Sequence, residues 1–295
     1  MRLRRIRARF TTVNASAKRL RTVFVVVPCI FMITMLVLPA LNGLLLSFDH
    51  NGLSLANYKI LFDDSMFWRA LGNNLLVPFG SVIVEFALGL ALALTLTARR
   101  NRSALIETAA ILPFAIPEIV ILTLARYIFL PRGYLNGAIT MTGMHPLPWL
   151  SPRSPLAIFT VIVVDAWHVT PVVMLMLMAG LQTIPTELYE AARLDGAGTF
   201  ATFRFVTLPM LMPAIVGALI LRGIDALRIF STVLVLTGPE GIPVLSTYSY
   251  SLWDDAQKPH EAMAASMILA LMVTIIGVGG LLAARRFSRD DGALA

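Results

Sequence analysis

Six stretches of this 295-residue chain are long and apolar enough to cross a lipid bilayer as helices. Crossing about 30 Å of hydrocarbon takes about 20 apolar residues at a rise of about 1.5 Å per residue. Lipid offers no hydrogen-bond partners, so every backbone N–H and C=O must be bonded within the chain, which favours helices. The predicted spans are 23–48, 74–98, 104–130, 155–181, 208–228 and 262–284. The sequence therefore predicts an all-α integral membrane protein with six transmembrane helices.

The overall composition agrees with this prediction. The chain is 57% hydrophobic and 14% charged, with a mean hydropathy of +0.78, values typical of membrane proteins and outside the range of soluble domains. The first stretch is expected to be a retained span, because its apolar run is too long for a secretory signal and residues 38–42 lack a small-x-small cleavage site. The single cysteine, Cys29, excludes a disulfide framework and a cysteine-based metal site.

The distribution of basic residues predicts the orientation. A net charge of +7 would suggest a nucleic-acid partner in a soluble protein, but here the charges sort by side of the membrane. Sixteen Lys and Arg fall on the side of the two termini and five on the opposite side. The positive-inside rule places both termini in the cytoplasm and predicts no nucleic-acid partner. The domains are then a basic tail (1–22), a six-span domain (23–284) and a second tail (285–295).

The cytoplasmic loop between the fourth and fifth spans, 182–207, is the most informative polar segment. Pro185 suits a first helical turn, no breaker interrupts the next residues, and Gly196 suits a helix terminator. This pattern predicts a short helix. A second short helix is predicted over 199–206, with Phe200 and Phe203 buried.

The same loop carries a family resemblance. Glu190-Ala191-Ala192, Asp195-Gly196-Ala197 and Leu208-Pro209 resemble the EAA loop of the membrane subunits of binding-protein-dependent ABC importers. The resemblance implies a coupling helix that docks in a cleft of a separate ATPase. The coupling residues it implies are Glu187, Glu190, Ala191, Ala192, Asp195, Gly196 and Ala197.

Further segments resemble the carbohydrate branch of that family, the maltose and glycerol-phosphate type. They are 167–171, 180–185, 225–230 and 236–239. The chain departs from that branch at Ser231, where Asp is usual, and in a short glycine-rich stretch before Pro239. The resemblance implies import of a sugar, polyol or glycerol-phosphate-like solute across a bacterial or archaeal plasma membrane.

The resemblance also implies partners. These are two ATP-binding subunits, a second, non-identical permease, an extracytoplasmic solute-binding protein, and the solute itself. No Gly-Lys-Ser/Thr phosphate loop occurs in the chain, and its four histidines lack metal-ligand spacing. The chain is therefore predicted to be a transport subunit and not an enzyme. It is expected to hold no cofactor or metal, with ATP and Mg bound by the partner ATPase.

Ionisable groups inside the spans are candidates for the solute pathway, because such groups are costly in lipid and usually face a wet cavity or a partner. Asp165 with Trp167 and His168 suits a sugar, since a carboxylate accepts hydroxyl hydrogen bonds and an indole covers an apolar ring face. The three-residue spacing of Arg222, Asp225 and Arg228 fits solute binding and an internal ion-pair ladder equally. The remaining candidates are Glu85, Glu118 and Arg126.

Three alternatives stay open at this level. One is an ABC permease for amino acids, peptides or osmolytes, because import families share the loop pattern. A second is an ion-coupled secondary transporter in which Glu85, Glu118 and Asp165 carry protons. A third is a membrane scaffold or receptor that transports nothing.

Overall fold

The structure, a computed structural model, describes residues 22–48, 54–98, 104–152 and 154–291. Within these residues the secondary structure is helical throughout. The helices are α1 Thr22–Phe48, α2 Ala56–Asp63, α3 Ser65–Ala98, α4 Ala104–Ala115, α5 Glu118–Phe129, α6 Tyr134–Met141, α7 Pro155–Gln182, α8 Thr186–Leu194, α9 Thr199–Ala226, α10 Ser231–Thr237, α11 Leu245–Asp254 and α12 Pro259–Asp291.

Five of these helices, α1, α3, α7, α9 and α12, are long and apolar enough to cross a membrane. A sixth span results if the bent pair formed by α4 and the segment from α5 to α6 counts as one. The predicted all-α architecture with six spans is therefore confirmed. The predicted tail 1–22 lies almost entirely outside the described residues, whereas α12 continues past the predicted span end at 284.

The third predicted span, 104–130, is not one helix. Helix α4 ends at Ala115 and α5 begins at Glu118, with a 92° bend between the two parts of the pair. Pro117 causes the break, because proline lacks the amide that would continue the helix and pushes the preceding residue toward extended backbone. Apolar length alone therefore predicted this helix wrongly.

Two wide π-helical turns, Ile33–Val37 and Phe203–Thr207, lie directly before the sequence Leu-Pro. The amides of Leu38 and Leu208 donate to carbonyls five residues earlier, those of Ile33 and Phe203. The proline that follows has no amide, and its ring crowds the carbonyl four residues before it, so a wider turn relieves the clash. Helix α9 can then run without a break from Thr199, well ahead of the predicted start at 208.

The predicted second cytoplasmic helix is thus the first part of α9. The burial predicted there for Phe200 is wrong, because its side chain is 78% exposed. Phe203 is half-buried. The exposed ring of Phe200 therefore leaves an apolar surface at the start of α9.

Helices α3 and α7 form the centre of the bundle, and glycines let them approach closely. A Cβ added at Gly89 would lie 2.9 Å from Cγ1 of Val173, and one at Gly80 would lie 2.6 Å from Cδ1 of Ile162. Small residues at such crossings permit the backbone approach on which helix packing in membranes depends. Among the five continuous spans of the described residues, α7 is the most buried.

The side-chain amide of Asn74 helps to fix the short link between α9 and α10. Asn74 donates to the carbonyl oxygen of Leu227 at 3.2 Å and accepts from the amide of Leu245 at 3.0 Å. Nearby, the Tyr248 hydroxyl donates to Asp64 at 2.6 Å. Burial, with a further contribution from this hydrogen bond, raises the pKa of Tyr248. The polar groups around the link are therefore held in place.

Candidate functional site

A cavity of about 620 Å³ opens beside α7, where two helix breaks meet. One break is at Pro117 between α4 and α5, and the other is the link between α9 and α10. Broken helices within membrane depth are tolerated where they line a cavity. The polar or ionisable groups in its lining are Glu118, Asp165, His168, Arg222, Asp225, Arg228, Ser231 and Thr232.

Arg222 is the centre of an ion-pair network. Its Nε lies 2.8 Å from Oε2 of Glu85, and its Nη2 lies 2.9 Å from Oε1 of the same carboxylate. Its Nη1 donates to Asp225, three residues further along α9. Glu85 on α3 is fully buried, so the two-pronged pair joins α3 to α9 inside the bundle.

Asp165, near the middle of α7, is 8% exposed. Its Oδ1 accepts a hydrogen bond from the Thr232 hydroxyl at 3.1 Å. Its Oδ2 and the Ser81 hydroxyl are buried without a hydrogen bond to any described residue, although the two side chains are close enough to interact. The carboxylate of Asp165 therefore lines the cavity between the hydroxyls of Thr232 and Ser81.

The structure brings together most of the residues proposed from sequence for the solute pathway. Glu118, the first residue of α5, is exposed at the cavity, and its charge suits a helix N-terminus. His168 lies beside Phe114, with ring centroids 6.1 Å apart. Arg228 is exposed. Trp167 differs: it is 50% exposed and does not contribute to the lining.

Arg126 belongs to a different place. Its Nη1 donates to the carbonyl oxygen of Val235 at 3.0 Å, and its side chain lines a second cavity of about 400 Å³. Asn136 folds the loop that bounds this cavity, accepting from the amide of Leu147 and the indole of Trp149. Arg126 therefore lies apart from the cavity beside α7.

Sequence reasoning missed Ser81 and Thr232. Both are small hydroxyl residues in or beside apolar helices, where such residues usually bond to their own backbone. The only sequence signal near Thr232 is Ser231, which stands where the carbohydrate branch usually has Asp. That position does line the cavity.

The second candidate region is α8, between the spans α7 and α9. Gly196 follows the helix with φ +75°, a conformation that favours glycine. The Gly196 amide donates to the carbonyl of Arg193 at 3.1 Å, and the Ala197 amide donates to that of Ala192 at 2.9 Å. This pair of bonds is a Schellman motif, which ends a helix and satisfies its last carbonyls. The predicted short helix and its glycine terminator are therefore present.

Most of α8 faces outward. Glu187, Glu190 and Ala191 are exposed, as are Asp195 and Gly196 beyond its end, and Ala197 is half-buried. Ala192 is the buried residue of the helix. Tyr189 packs toward the bundle, and the Thr207 hydroxyl donates to it at 3.4 Å.

The exposed face of α8 is partly apolar and its charges are unpaired. Leu194 is 89% exposed, and no ion pair involves Glu187, Glu190, Arg193 or Asp195 among the described residues. Exposed large apolar residues beside charges are typical of contact surfaces between proteins.

The described part of the chain holds no group of three or more His, Cys, Asp and Glu placed to bind a metal ion. The described residues form a bundle of membrane-spanning helices with a polar cavity at helix breaks and an exposed helix, α8, in the loop between α7 and α9. This is the organisation of a membrane permease.

The comparisons with known proteins give the family. Residues 85–290 match the family described as binding-protein-dependent transport system inner membrane component. The chain is 35% identical over 245 residues to the trehalose/maltose transport system permease protein MalF of Thermococcus litoralis, covering 80% of each chain. It is 34% identical over 231 residues to the trehalose transport system permease protein SugA of Mycobacterium tuberculosis, covering 75% of this chain and 74% of SugA.

The fold has solved counterparts. A chain of a bacterial ABC transporter involved in import of the acidic polysaccharide alginate superposes with a TM-score of 0.84, at 23% identity, over 94% of this chain and 98% of that one. This protein therefore belongs to the family of inner membrane components of binding-protein-dependent transport systems. It is a multi-pass permease subunit of an ABC importer.

Proposed function

We propose that this permease subunit carries a sugar, polyol or glycerol-phosphate-like solute through an ATP-driven importer. The relatives named for trehalose and maltose support this solute class. The cavity supports it too, because its lining combines carboxylates, hydroxyls and an aromatic ring. The observation that carries the ATP-driven mechanism is α8, an exposed helix between two spans with unpaired charges and apolar side chains.

Helix α8 is proposed to dock in a cleft of an ATPase subunit. Leu188 and Leu194 are 39% and 89% exposed, and Phe200 on the following helix is 78% exposed. A groove that covers these side chains would remove apolar area from water, at about 25 cal/mol per Å². Glu187, Glu190 and Asp195 would meet a basic or mixed rim around it.

The loop between α7 and α9 is suited to transmitting movement, because both ends of α8 are held in place. Ile184, between α7 and α8, is 6% exposed and packs in the same core as Leu181 and Leu211. At the other end, the Schellman motif at Gly196 fixes how α8 turns toward α9. A push on α8 therefore acts on the ends of two membrane spans, one of which carries Asp165 and the other Arg222.

The proposed assembly contains further chains. Two ATP-binding subunits hold ATP and Mg, so this chain needs no cofactor of its own. A second, non-identical permease completes the membrane portion, and an extracytoplasmic binding protein delivers the solute. The apolar exterior of α1, of which no residue in its most apolar window is buried, suits lipid or a neighbouring permease. Both termini lie in the cytoplasm of a bacterial or archaeal cell, on the side of α8.

The proposed cycle is alternating access. The solute-loaded binding protein docks on the loops at the side of the membrane opposite α8. At the same time the ATPases bind ATP and close. Closure draws the α8 helices inward and turns the cavity from inward-facing to outward-facing. Hydrolysis resets the complex and releases solute to the cytoplasm.

Charge reversal at Glu190 tests the coupling role. In the complete complex reconstituted in liposomes, Glu190→Lys is expected to reduce ATPase co-purification or to abolish the stimulation of ATP hydrolysis by the loaded binding protein. Glu107→Lys is the matched control, because Glu107 lies in the first turn of α4, outside both the α8 loop and the loops proposed to bind the binding protein. Equal ATPase recovery and equal stimulated hydrolysis in the Glu190 variant and the unmodified complex would refute coupling through α8.

A further inference from the structure

The cavity contains an arginine that is unavailable to a solute. All three nitrogens of the Arg222 guanidinium meet carboxylates, two at Glu85 and one at Asp225. The side chain is 4% exposed. A protein binds phosphate or carboxylate with the free fork of an arginine, and here Glu85 already occupies that fork.

The acceptors of the cavity, in contrast, are available. Asp165 lines the cavity and is more than nine-tenths buried, with the Thr232 hydroxyl donating to Oδ1 and the Ser81 hydroxyl close enough to interact. A carboxylate has about four lone-pair sites, so acceptor capacity is left over. Glu118 lines the cavity, is exposed and takes part in no ion pair of the described chain. A ligand that brings hydroxyl donors can therefore bond to these carboxylates, and hydrogen bonds to charged groups are stronger than those between neutral groups.

The charge balance points the same way. Glu85, Glu118, Asp165 and Asp225 face Arg222 and Arg228, which leaves the cavity and its immediate wall with a net formal charge of −2 when His168 is neutral. The balance remains negative if Asp165 holds a proton. Charges interact more strongly in a membrane interior than in water, so this excess repels an anionic solute.

Arg228 is the one cavity cation without an ion pair among the described residues. It is exposed, whereas Asp165 and Arg222 are buried. Glu118 is exposed as well and carries the opposite charge, so these two exposed groups offset each other. Glu85, Asp165 and Asp225 against Arg222 then keep the formal excess of −2.

We infer that the cavity selects a neutral polyhydroxyl solute and rejects the phosphorylated or carboxylated form of the same molecule. Solute hydroxyls donate to the carboxylates of Asp165 and Glu118, while the acidic excess of the cavity repels an anionic substituent. This inference rests on the proposed function and narrows it, because it removes glycerol phosphate from the solute class. The volume of about 620 Å³ is in the range of pockets for small molecules.

The test compares neutral solutes with their own monophosphates. The complete complex of this chain, its partner permease and the ATPases is titrated in detergent, without the binding protein, and binding is followed by saturation-transfer NMR. The probes are glycerol, glucose, maltose and trehalose, each paired with its monophosphate. At least one neutral probe is expected to bind, with its monophosphate at least about tenfold weaker, a difference of about 1.4 kcal/mol.

Variants assign the selection to named groups. Glu118→Gln removes one exposed charge and is expected to reduce the discrimination about threefold or more, while Glu107→Gln, outside the cavity lining, leaves it unchanged. Asp165→Asn keeps the shape of the side chain and is expected to weaken the neutral probe about fivefold or more. Arg228→Gln is expected to weaken the monophosphates by no more than about threefold, the size of the opposite effect at Glu118.

The outcomes separate the inference from the proposed function. Binding of a monophosphate as tight as that of its neutral partner, or a loss of monophosphate binding in Arg228→Gln, overturns the inference and leaves sugar transport standing. Binding of no probe of either kind counts against the proposed solute class itself. Glu118→Gln changes an exposed residue, so it keeps the test decisive if Asp165→Asn fails to fold.

Discussion

The cavity wall and α8 differ in how their charged side chains are satisfied. In the wall, Glu85 and Arg222 are both buried and bind each other directly. On α8, Glu187 and Glu190 are exposed and take part in no ion pair among the described residues. Lipid supplies no partners, so charges at membrane depth must be satisfied within the protein, whereas a loop in water can leave its charges for another chain.

The two regions also differ in packing. Helices α3 and α7 touch through glycines, and a side chain at Gly89 would collide with Val173. Helix α8 contacts the bundle through a few residues, among them Ala192 and Tyr189. The cavity wall is packed within this chain, whereas α8 exposes the kind of surface that binds another protein. Substitutions should therefore cost stability in the first region and coupling in the second.

The largest effect is expected from breaking the buried ion pair. Arg222→Ala leaves Glu85 charged and alone in the bundle, and is expected to lower the free energy of unfolding by about 3–5 kcal/mol. Denaturant-induced unfolding of the purified complex measures it. The double variant Glu85→Leu/Arg222→Leu is the control and should recover most of the loss. A single variant as stable as the unmodified chain would contradict the contrast between the two regions.

A smaller loss is expected from overpacking the same region. Gly89→Val places methyl groups against Val173 and the backbone nitrogen of Met174, which a Cβ at Gly89 would approach to 3.2 Å. The expected cost is about 1–3 kcal/mol in unfolding experiments. Gly72→Ala is the matched control, because a Cβ there meets nothing within 4 Å, and it should be neutral or slightly stabilising. Equal behaviour of the two variants would show that α3 and α7 are not tightly packed.

In the loop, the effect should be local and smaller. Gly196→Ala forces a side chain into the φ +75° conformation, at a cost of about 1–2 kcal/mol. Amide hydrogen exchange of 186–202 should accelerate while global unfolding changes little. Gly198→Ala is the control, since Gly198 has φ −71° and open space around it. Equal exchange in the two variants would mean that the Schellman motif does not hold α8.

The smallest change in stability is expected at Glu190. Because this side chain is exposed and unpaired in the described chain, Glu190→Lys should change the free energy of unfolding by no more than about 0.5 kcal/mol. Circular dichroism of the purified chain during heating measures this. The same variant is expected to lose coupling in the full complex. A large loss of stability would mean that Glu190 contributes to the folded core. It would contradict the expectation that substitutions on α8 affect coupling and not stability.

Much of the fold could be predicted from apolar length and helix signals. Span 155–181 coincides with α7 almost residue for residue, and the start at Pro185 and stop at Gly196 frame α8. These features are local, so the sequence contains what determines them. The break at Pro117 also has a local signal, but the apolar run on both sides outweighed it.

The network in the cavity could not be predicted in the same way. Glu85 and Arg222 are 137 residues apart, and many cationic partners were possible for a carboxylate at mid-span. The spacing of Arg222 and Asp225 did indicate a pair, and the structure contains it. It did not show that Nε and Nη2 of Arg222 bind Glu85.

The wide turn at Phe203–Thr207 has a consequence for how this permease can change over evolution. A π turn behaves as one residue inserted into an α-helix. Deleting a single residue there would turn everything on its cytoplasmic side by about 100° around the axis of α9, because each helical residue advances by that angle. Helix α8 would then present a different side to whatever it meets. Length in this short segment is therefore expected to be kept more strictly than the identity of its residues.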